Sequence, residues 1–166
     1  MISENSSVTD TDILYMERAI RLAREAAMRD EVPIGALIVR DGEVIAEAFN
    51  TREGDKCATH HAELSAIEAA CKRLGGWRLP RCTLYVTLEP CPMCAGAVIN
   101  SRVERVVFGA FDKRAGVYGS LCDLTALPFN HTPEVVGGVM EEECRTLLSE
   151  YFKGKRKPRV RMETEN

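Results

Sequence analysis

The chain has 166 residues, 45% of them hydrophobic, enough for one domain with a sizeable core and too few for two independent domains. Met1 to Ser7 form no basic or apolar leader and no run reaches membrane-span length, so a cytoplasmic protein without membrane contact is expected. The net charge of −3 conceals an asymmetry, because residues 153–161 hold six of the 22 basic residues and no acid, and without the tail from Lys153 onward 16 basic face 23 acidic residues. An acidic body with a basic end suggests a local contact with a polyanion, although a merely solvated tail explains the same run.

Residues 1–10 are expected to be poorly ordered. Ile13, Met16, Ile20, Leu22, Ala23 and Ala27 recur at mostly helical spacing and predict an amphipathic helix over 11–29, with Asp10 or Thr11 as N-cap. Runs 33–39 and 43–49, separated by Asp41-Gly42, read as an antiparallel hairpin. Helical spacing resumes over 61–74 and Gly75-Gly76 ends it. Residues 82–88 alternate as a strand, and Pro90 and Pro92 suit the first turn of a helix running through Ile99. Short strands are predicted at 103–108 and 135–139, and a last helix over 141–152. Strands alternating with helices after an initial hairpin describe an α/β fold, a three-layer α/β/α sandwich around a central mixed five-stranded sheet. It occupies residues 11–152, and 153–166 form a basic extension of the last helix and a tail.

Two segments carry the chemistry: His61-Ala62-Glu63 and Pro90-Cys91-Pro92-Met93-Cys94. Seven cysteines are an odd number that suits buried thiols and ligands better than a disulfide framework, and Cys91 and Cys94 alone have ligand spacing. Cysteines three apart can share one face of a helix's first turn, and with one imidazole they leave the fourth tetrahedral position of zinc open. An open position points to catalysis, since zinc lowers the pKa of bound water from about 15.7 toward about 7 and so supplies hydroxide. Residues two apart on a helix point about 200° from each other, so Glu63 is read as a proton shuttle rather than a further ligand. His60 could bind in place of His61, but His61 alone has the required spacing to Glu63.

His-x-Glu followed by Pro-Cys-x-x-Cys is the signature of zinc nucleobase deaminases. The flanking segments Glu31-Val32-Pro33-Ile34-Gly35-Ala36, Asn50, Leu84 to Cys91, Cys94-Ala95-Gly96-Ala97, Val106 to Ala110, Gly119-Ser120-Leu121 and Asn130-His131 extend the match over nearly the whole chain. The sequence resembles the bacterial tRNA-specific adenosine deaminases of the cytidine deaminase-like superfamily. That resemblance implies hydrolysis of adenosine to inosine at the wobble position of a tRNA, typically an arginine tRNA, by a homodimer with one Zn2+ per subunit acting on the anticodon stem-loop. It implies His61, Cys91 and Cys94 as zinc ligands, Glu63 as shuttle, and Asn50 hydrogen-bonded to a flipped base. The Ala62 amide and the Glu89 carbonyl would read the base edge, Val32 and Pro33 would wall the pocket, and Asp112 would meet neighbouring nucleotides. Lys113, Asn130, His131, Phe152, Lys153 and Arg156 are further candidates for RNA contact.

His60, where a small residue is usual, and nearby Cys57 depart from the pattern and offer a competing imidazole and thiol. Three other readings compete: a deaminase of a free base or nucleoside such as guanine or cytosine, a noncatalytic zinc-containing RNA-binding protein, and a glutaredoxin-like redox protein built on Cys91-Pro92-Met93-Cys94 with Thr132-Pro133 downstream. The redox and structural-zinc readings leave Glu63 without a role. A free-base enzyme has no need of the basic helix end.

Overall fold

The structure is a computed structural model in which residues 7–156 are described. In chain order the main elements are α1 (Asp10–Met28), β1 (Gly35–Arg40), β2 (Glu43–Phe49), α2 (Arg52–Asp55), α3 (Ala62–Leu74), β3 (Cys82–Leu88), α4 (Pro92–Ser101), β4 (Arg105–Ala110), β5 (Glu134–Val136) and α5 (Glu141–Lys155). The five strands form one mixed sheet ordered β2-β1-β3-β4-β5, antiparallel from β2 to β3 and parallel from β3 to β5. Alternation divides their apolar side chains between two cores. Ala36, Ile38, Leu84, Val86, Val106 and Phe108 face α3 and α4, while Leu37, Val39, Tyr85 and Val107 face α1 and α5. A sheet apolar on both faces must be covered on both, and the expected three-layer sandwich results.

Local chemistry sets the boundaries, and several differ from the sequence expectation. Helix α1 is capped by Thr9, one residue before the expected candidates: its side chain accepts the Asp12 N–H at 3.1 Å and Asp12 accepts the Thr9 N–H at 3.1 Å, a reciprocal capping box. Strand β1 starts at Gly35 rather than at 33, because Pro33 has no N–H to donate and the Ile34 N–H turns back to Val32 O at 2.8 Å. A Cβ on Gly35 would lie 2.7 Å from the Ala23 nitrogen, so glycine is what lets α1 rest directly on the strand. Asp41 and Gly42 both have positive φ, as a two-residue hairpin turn matched to strand twist requires. Strand β4 begins two residues late because the Val103 N–H is still bonded to Val98 O at the end of α4. Strand β5 stops at Val136, before Gly137-Gly138, and α5 runs three residues past Phe152. The short α2 and a 3-10 turn at Leu124–Ala126 have no apolar periodicity and escaped prediction. Residues 1–6 of the expected disordered start, and the basic run from Lys157 onward, lie outside the described residues.

One buried ion pair ties α1 to the sheet. Asp12, 1% exposed, receives Arg105 Nη1 at 2.6 Å and Nη2 at 2.9 Å, and the Tyr85 hydroxyl at 2.8 Å. Burial pushes the Asp12 carboxyl up, but hydrogen bonds from Arg105, the Thr9 N–H and Tyr85 outweigh it and hold the pKa at about 2. The folded value lies below the ordinary 3.8, so this stabilisation is present above about pH 4 and is lost as pH falls toward 2. Asp12→Ala, which removes the bidentate partner of Arg105 and leaves it only the longer contact with Glu134 at 3.7 Å, and which takes the acceptor from Tyr85, is expected to cost about 3 kcal/mol at pH 7. Urea unfolding checks this, and the gap between variant and parent should narrow below pH 4.

Candidate metal centre and nucleotide pocket

The N-termini of α3 and α4 meet at one point. His61 is the N-cap of α3, Cys91 is the N-cap of α4, and Cys94 lies one turn further along. The His61 side chain does not cap its own helix and turns toward the thiols at the start of α4. The Sγ atoms of Cys91 and Cys94 each lie 3.6 Å from His61 Nδ1, and the three ligand atoms are all within 4.8 Å of one another. Tetrahedral zinc, with Zn–N of about 2.0–2.1 Å and Zn–S of about 2.3 Å, requires N···S separations of about 3.6 Å. The donor set and its spacing therefore fit a metal ion, and three protein ligands leave a fourth position for solvent or substrate.

Hydrogen bonds from the Cys94 thiol and from His61 lower the Cys91 pKa to about 4 in spite of burial, and the two helix N-termini favour the same thiolate. The Cys94 thiol is pushed up by the bond it gives to Cys91 and by burial. A metal would displace that proton. Glu63, in the first turn of α3, is 3% exposed, and its Oε2 has no hydrogen-bond partner. Burial pushes its carboxyl pKa up to about 7, where a group can both accept and give a proton near neutrality. A buried carboxylate oxygen without a partner is costly unless a ligand completes it.

Asn50, 3% exposed at the end of β2, accepts the Ala62 N–H on Oδ1 at 2.8 Å. That bond fixes the start of α3 and alters the reading of Ala62: its amide is engaged by Asn50 rather than presented to a base edge, and the donor left over is the Asn50 Nδ2. His60 Nδ1 is bound to Asp55 at 2.7 Å and Cys57 Sγ sits 3.3 Å from Thr59 Oγ1, so neither belongs to the three-ligand group. The residues brought together in positions that could hold a metal are thus His61, Cys91 and Cys94.

A cavity of about 650 Å³, whose lining includes none of His61, Glu63, Cys91 and Cys94, is formed by Val32, Leu88, Phe111, Asp112, Lys113, Arg114, Leu148, Phe152, Lys155 and Arg156. Four cations and one carboxylate surround two aromatic rings, and Phe111 and Phe152 are 41% and 48% exposed. Of the sequence candidates, Val32, Asp112, Lys113, Phe152 and Arg156 come together here, while Pro33 is buried beside Val32. Lys153 is exposed outside the lining, and the helix presents Lys155 instead. Asn130 is exposed, and His131 Nε2 is 2.6 Å from Val103 O, beyond the N-terminal end of β4 and away from the metal group. Tyr151 donates its hydroxyl to Asp30 O at 3.1 Å and Lys155 pairs with the Asp30 carboxylate, which fastens the end of α5 to the turn after α1. Tyr151 is thus the anchoring ring and Phe152 the free one.

Three contributors were missed from sequence. Phe111, Arg114 and Lys155 sit next to predicted residues, and the signal that could have found them is the basic-aromatic interleaving of Phe111-Asp112-Lys113-Arg114. The buried Glu31 carboxylate accepts the N–H groups of Glu53 at 3.0 Å and Gly54 at 2.6 Å, capping α2 and tying the Val32-Pro33 wall to the segment that leads into His61. No sequence spacing announces a cap across 22 residues.

The profile of the MafB19-like deaminase family matches residues 10–148. A tRNA-specific adenosine deaminase of Bacillus subtilis (strain 168) is 56% identical over 147 residues, spanning 88% of this chain and 91% of that protein. This chain belongs to the MafB19-like deaminases and to the tRNA-specific adenosine deaminase family. A structure solved in a study of A-to-I editing by tRNA:A34 deaminases is 43% identical with a TM-score of 0.77, covering 81% of this chain and 99% of that one. A guanine deaminase from Bacillus subtilis is 42% identical over 59% of this chain and 63% of its own, with a TM-score of 0.57. Among the described residues no helix is long and apolar enough to cross a membrane.

Atomic absorption tests the ligand register. Cys94→Ala is expected to abolish stoichiometric zinc binding and His60→Ala to leave one zinc per chain; loss of zinc in the His60 variant would return that imidazole to the ligand set.

Proposed function

We propose that this chain hydrolyses adenosine to inosine at the wobble position of a tRNA, with an arginine tRNA as the expected substrate and one zinc per subunit. The observation that carries the reading is a group of three possible ligands with a buried Glu63 whose Oε2 has no partner, together with a cavity lined by cations and exposed aromatics. His61, Cys91 and Cys94 would hold the zinc, which when bound polarises a water and lowers its pKa toward about 7. Glu63 would take one proton from the attacking water and deliver it to a ring nitrogen of the flipped adenine, then take the remaining hydroxyl proton and pass it to the amino group, which leaves as ammonia while the C–N bond breaks and a ring carbonyl forms. Asn50, fixed through Ala62, orients the base with its free Nδ2; Val32 and Pro33 wall it; the Glu89 carbonyl meets its edge.

The cavity supports RNA over a free base. An anticodon loop offers splayed bases for Phe111 and Phe152 to stack on, and phosphates for Lys113, Arg114, Lys155 and Arg156. A free guanine or cytosine would leave those groups idle. The homodimer implied by the family, and the cytoplasmic location that a tRNA substrate requires, belong to the same proposal.

Inosine formation on an anticodon stem-loop carrying wobble adenosine, run beside free adenosine, guanine and cytosine, tests it. Conversion of the stem-loop alone is expected; turnover of a free base alone would keep the deaminase chemistry and sink the RNA reading. Glu63→Ala should retain its zinc and lose turnover by roughly a hundred- to ten-thousand-fold. Unimpaired activity would remove Glu63 from the mechanism.

A further inference from the structure

Glu89 lies between the end of β3 and the metal cysteines and is 1% exposed, yet among the described residues no cation pairs with it. Its carboxylate instead accepts the N–H groups of Asp112 at 2.9 Å, Tyr118 at 3.0 Å and Ser120 at 3.1 Å, together with the Ser120 hydroxyl. Two backbone bonds fasten the same region: Glu89 N–H to Ala110 O at 2.8 Å, and Val117 N–H to Pro90 O at 3.1 Å. The loop 112–120 is therefore wound around one carboxylate. At Gly116 the fit is tight, since a Cβ there would collide with the Glu89 carboxylate and lie 2.6 Å from Asp112 O. Within the loop, Asp112 Oδ1 accepts the N–H groups of Arg114 at 2.9 Å and Ala115 at 3.3 Å, so the Asp112 side chain is held by the turn that Glu89 anchors.

Burying a carboxylate is expensive, and an apolar residue would suffice if the loop needed only packing. What the carboxylate adds is direction: four donors converge on two oxygens and permit one path for the chain. That path sets Asp112, Lys113 and Arg114 on the cavity wall, while Glu89 stands two residues before Cys91. We infer that the Glu89 side chain is a positioning residue for substrate selectivity, holding the 112–115 wall in register with the metal cysteines so that nucleotides beside the flipped base meet a preformed surface. This rests on the tRNA reading above and assigns the side chain a task separate from that of the Glu89 carbonyl.

The test uses zinc-loaded full-length protein and the wobble-adenosine stem-loop, with kcat and KM measured separately. Ser120→Ala and Gly116→Ala each loosen the loop without touching the metal ligands or Glu63. Ser120→Ala is expected to raise KM about five- to tenfold, the worth of one such hydrogen bond, and Gly116→Ala, which drives a methyl group against the Glu89 carboxylate, to raise it at least as far, each with kcat within about twofold and zinc still one per chain. Asp112→Ala alone should raise KM, and adding it to Ser120→Ala should change KM by less than about twofold further, because the two act on one element. Amide exchange at Asp112 and Tyr118 should accelerate in Ser120→Ala ahead of the rest of the chain. Unchanged KM in the loop variants or in Asp112→Ala, or fully multiplicative effects, would overturn the inference while leaving the tRNA reading intact. If the parent protein fails on the stem-loop, the tRNA reading falls and the positioning role falls with it.

Discussion

Two helices starting at the same place is the constraint from which the rest of this site follows. The antiparallel β1–β3 pair and the parallel β3–β4 pair put α3 and α4 on one face of the sheet with their N-termini together. Each helix start leaves unsatisfied N–H groups and partial positive charge, which suits a thiolate and a metal's other ligands better than it suits a neutral core. His61 and Cys91 occupy the two N-cap positions, so backbone geometry rather than side-chain flexibility fixes the 3.6 Å spacing between imidazole and thiols. Glu63 then falls in the first turn of α3, buried and with its Oε2 unpartnered.

The substrate side is built on a different device. Buried carboxylates hold backbone N–H groups where no secondary structure does so: Glu31 caps α2 and Glu89 gathers the 112–120 loop. Lys155 and Tyr151 add a third fastening, between the end of α5 and Asp30. Loops tied this way are positioned before any ligand arrives, which lowers the entropic cost of binding a floppy single strand. The Asp12–Arg105 pair is of another kind: it joins α1 to the start of β4 and so to the sheet.

Much of this architecture was legible because periodicity and turn chemistry are local. The hairpin at Asp41-Gly42, strand β3, and the helices ending at Gly75 and opening at Pro92 all follow from residue types within a few positions of each other. The ligand register was legible for the same reason, since His61, Glu63, Cys91 and Cys94 carry fixed spacings. What escaped depends on contacts between distant segments. The Ala62 amide is consumed by Asn50, twelve residues earlier. His60, equal to His61 on paper, is turned aside by Asp55 through a turn that only α2 creates. Glu89 entered the sequence reading only through its carbonyl and Glu31 only as part of a matching segment, and the burial of their carboxylates among backbone donors could not be read without the fold.

The proposed chemistry depends on zinc held by three protein ligands, with a fourth position open within reach of Glu63. Crystallographic refinement of zinc-loaded protein against anomalous data collected at the zinc edge tests it most directly. Zinc is expected to be bonded to His61 Nδ1, Cys91 Sγ and Cys94 Sγ, with a solvent oxygen as fourth ligand within hydrogen-bond reach of Glu63. A fourth ligand drawn from the protein, whether His60, Cys57 or Glu63 itself, would describe a closed structural site and contradict the account.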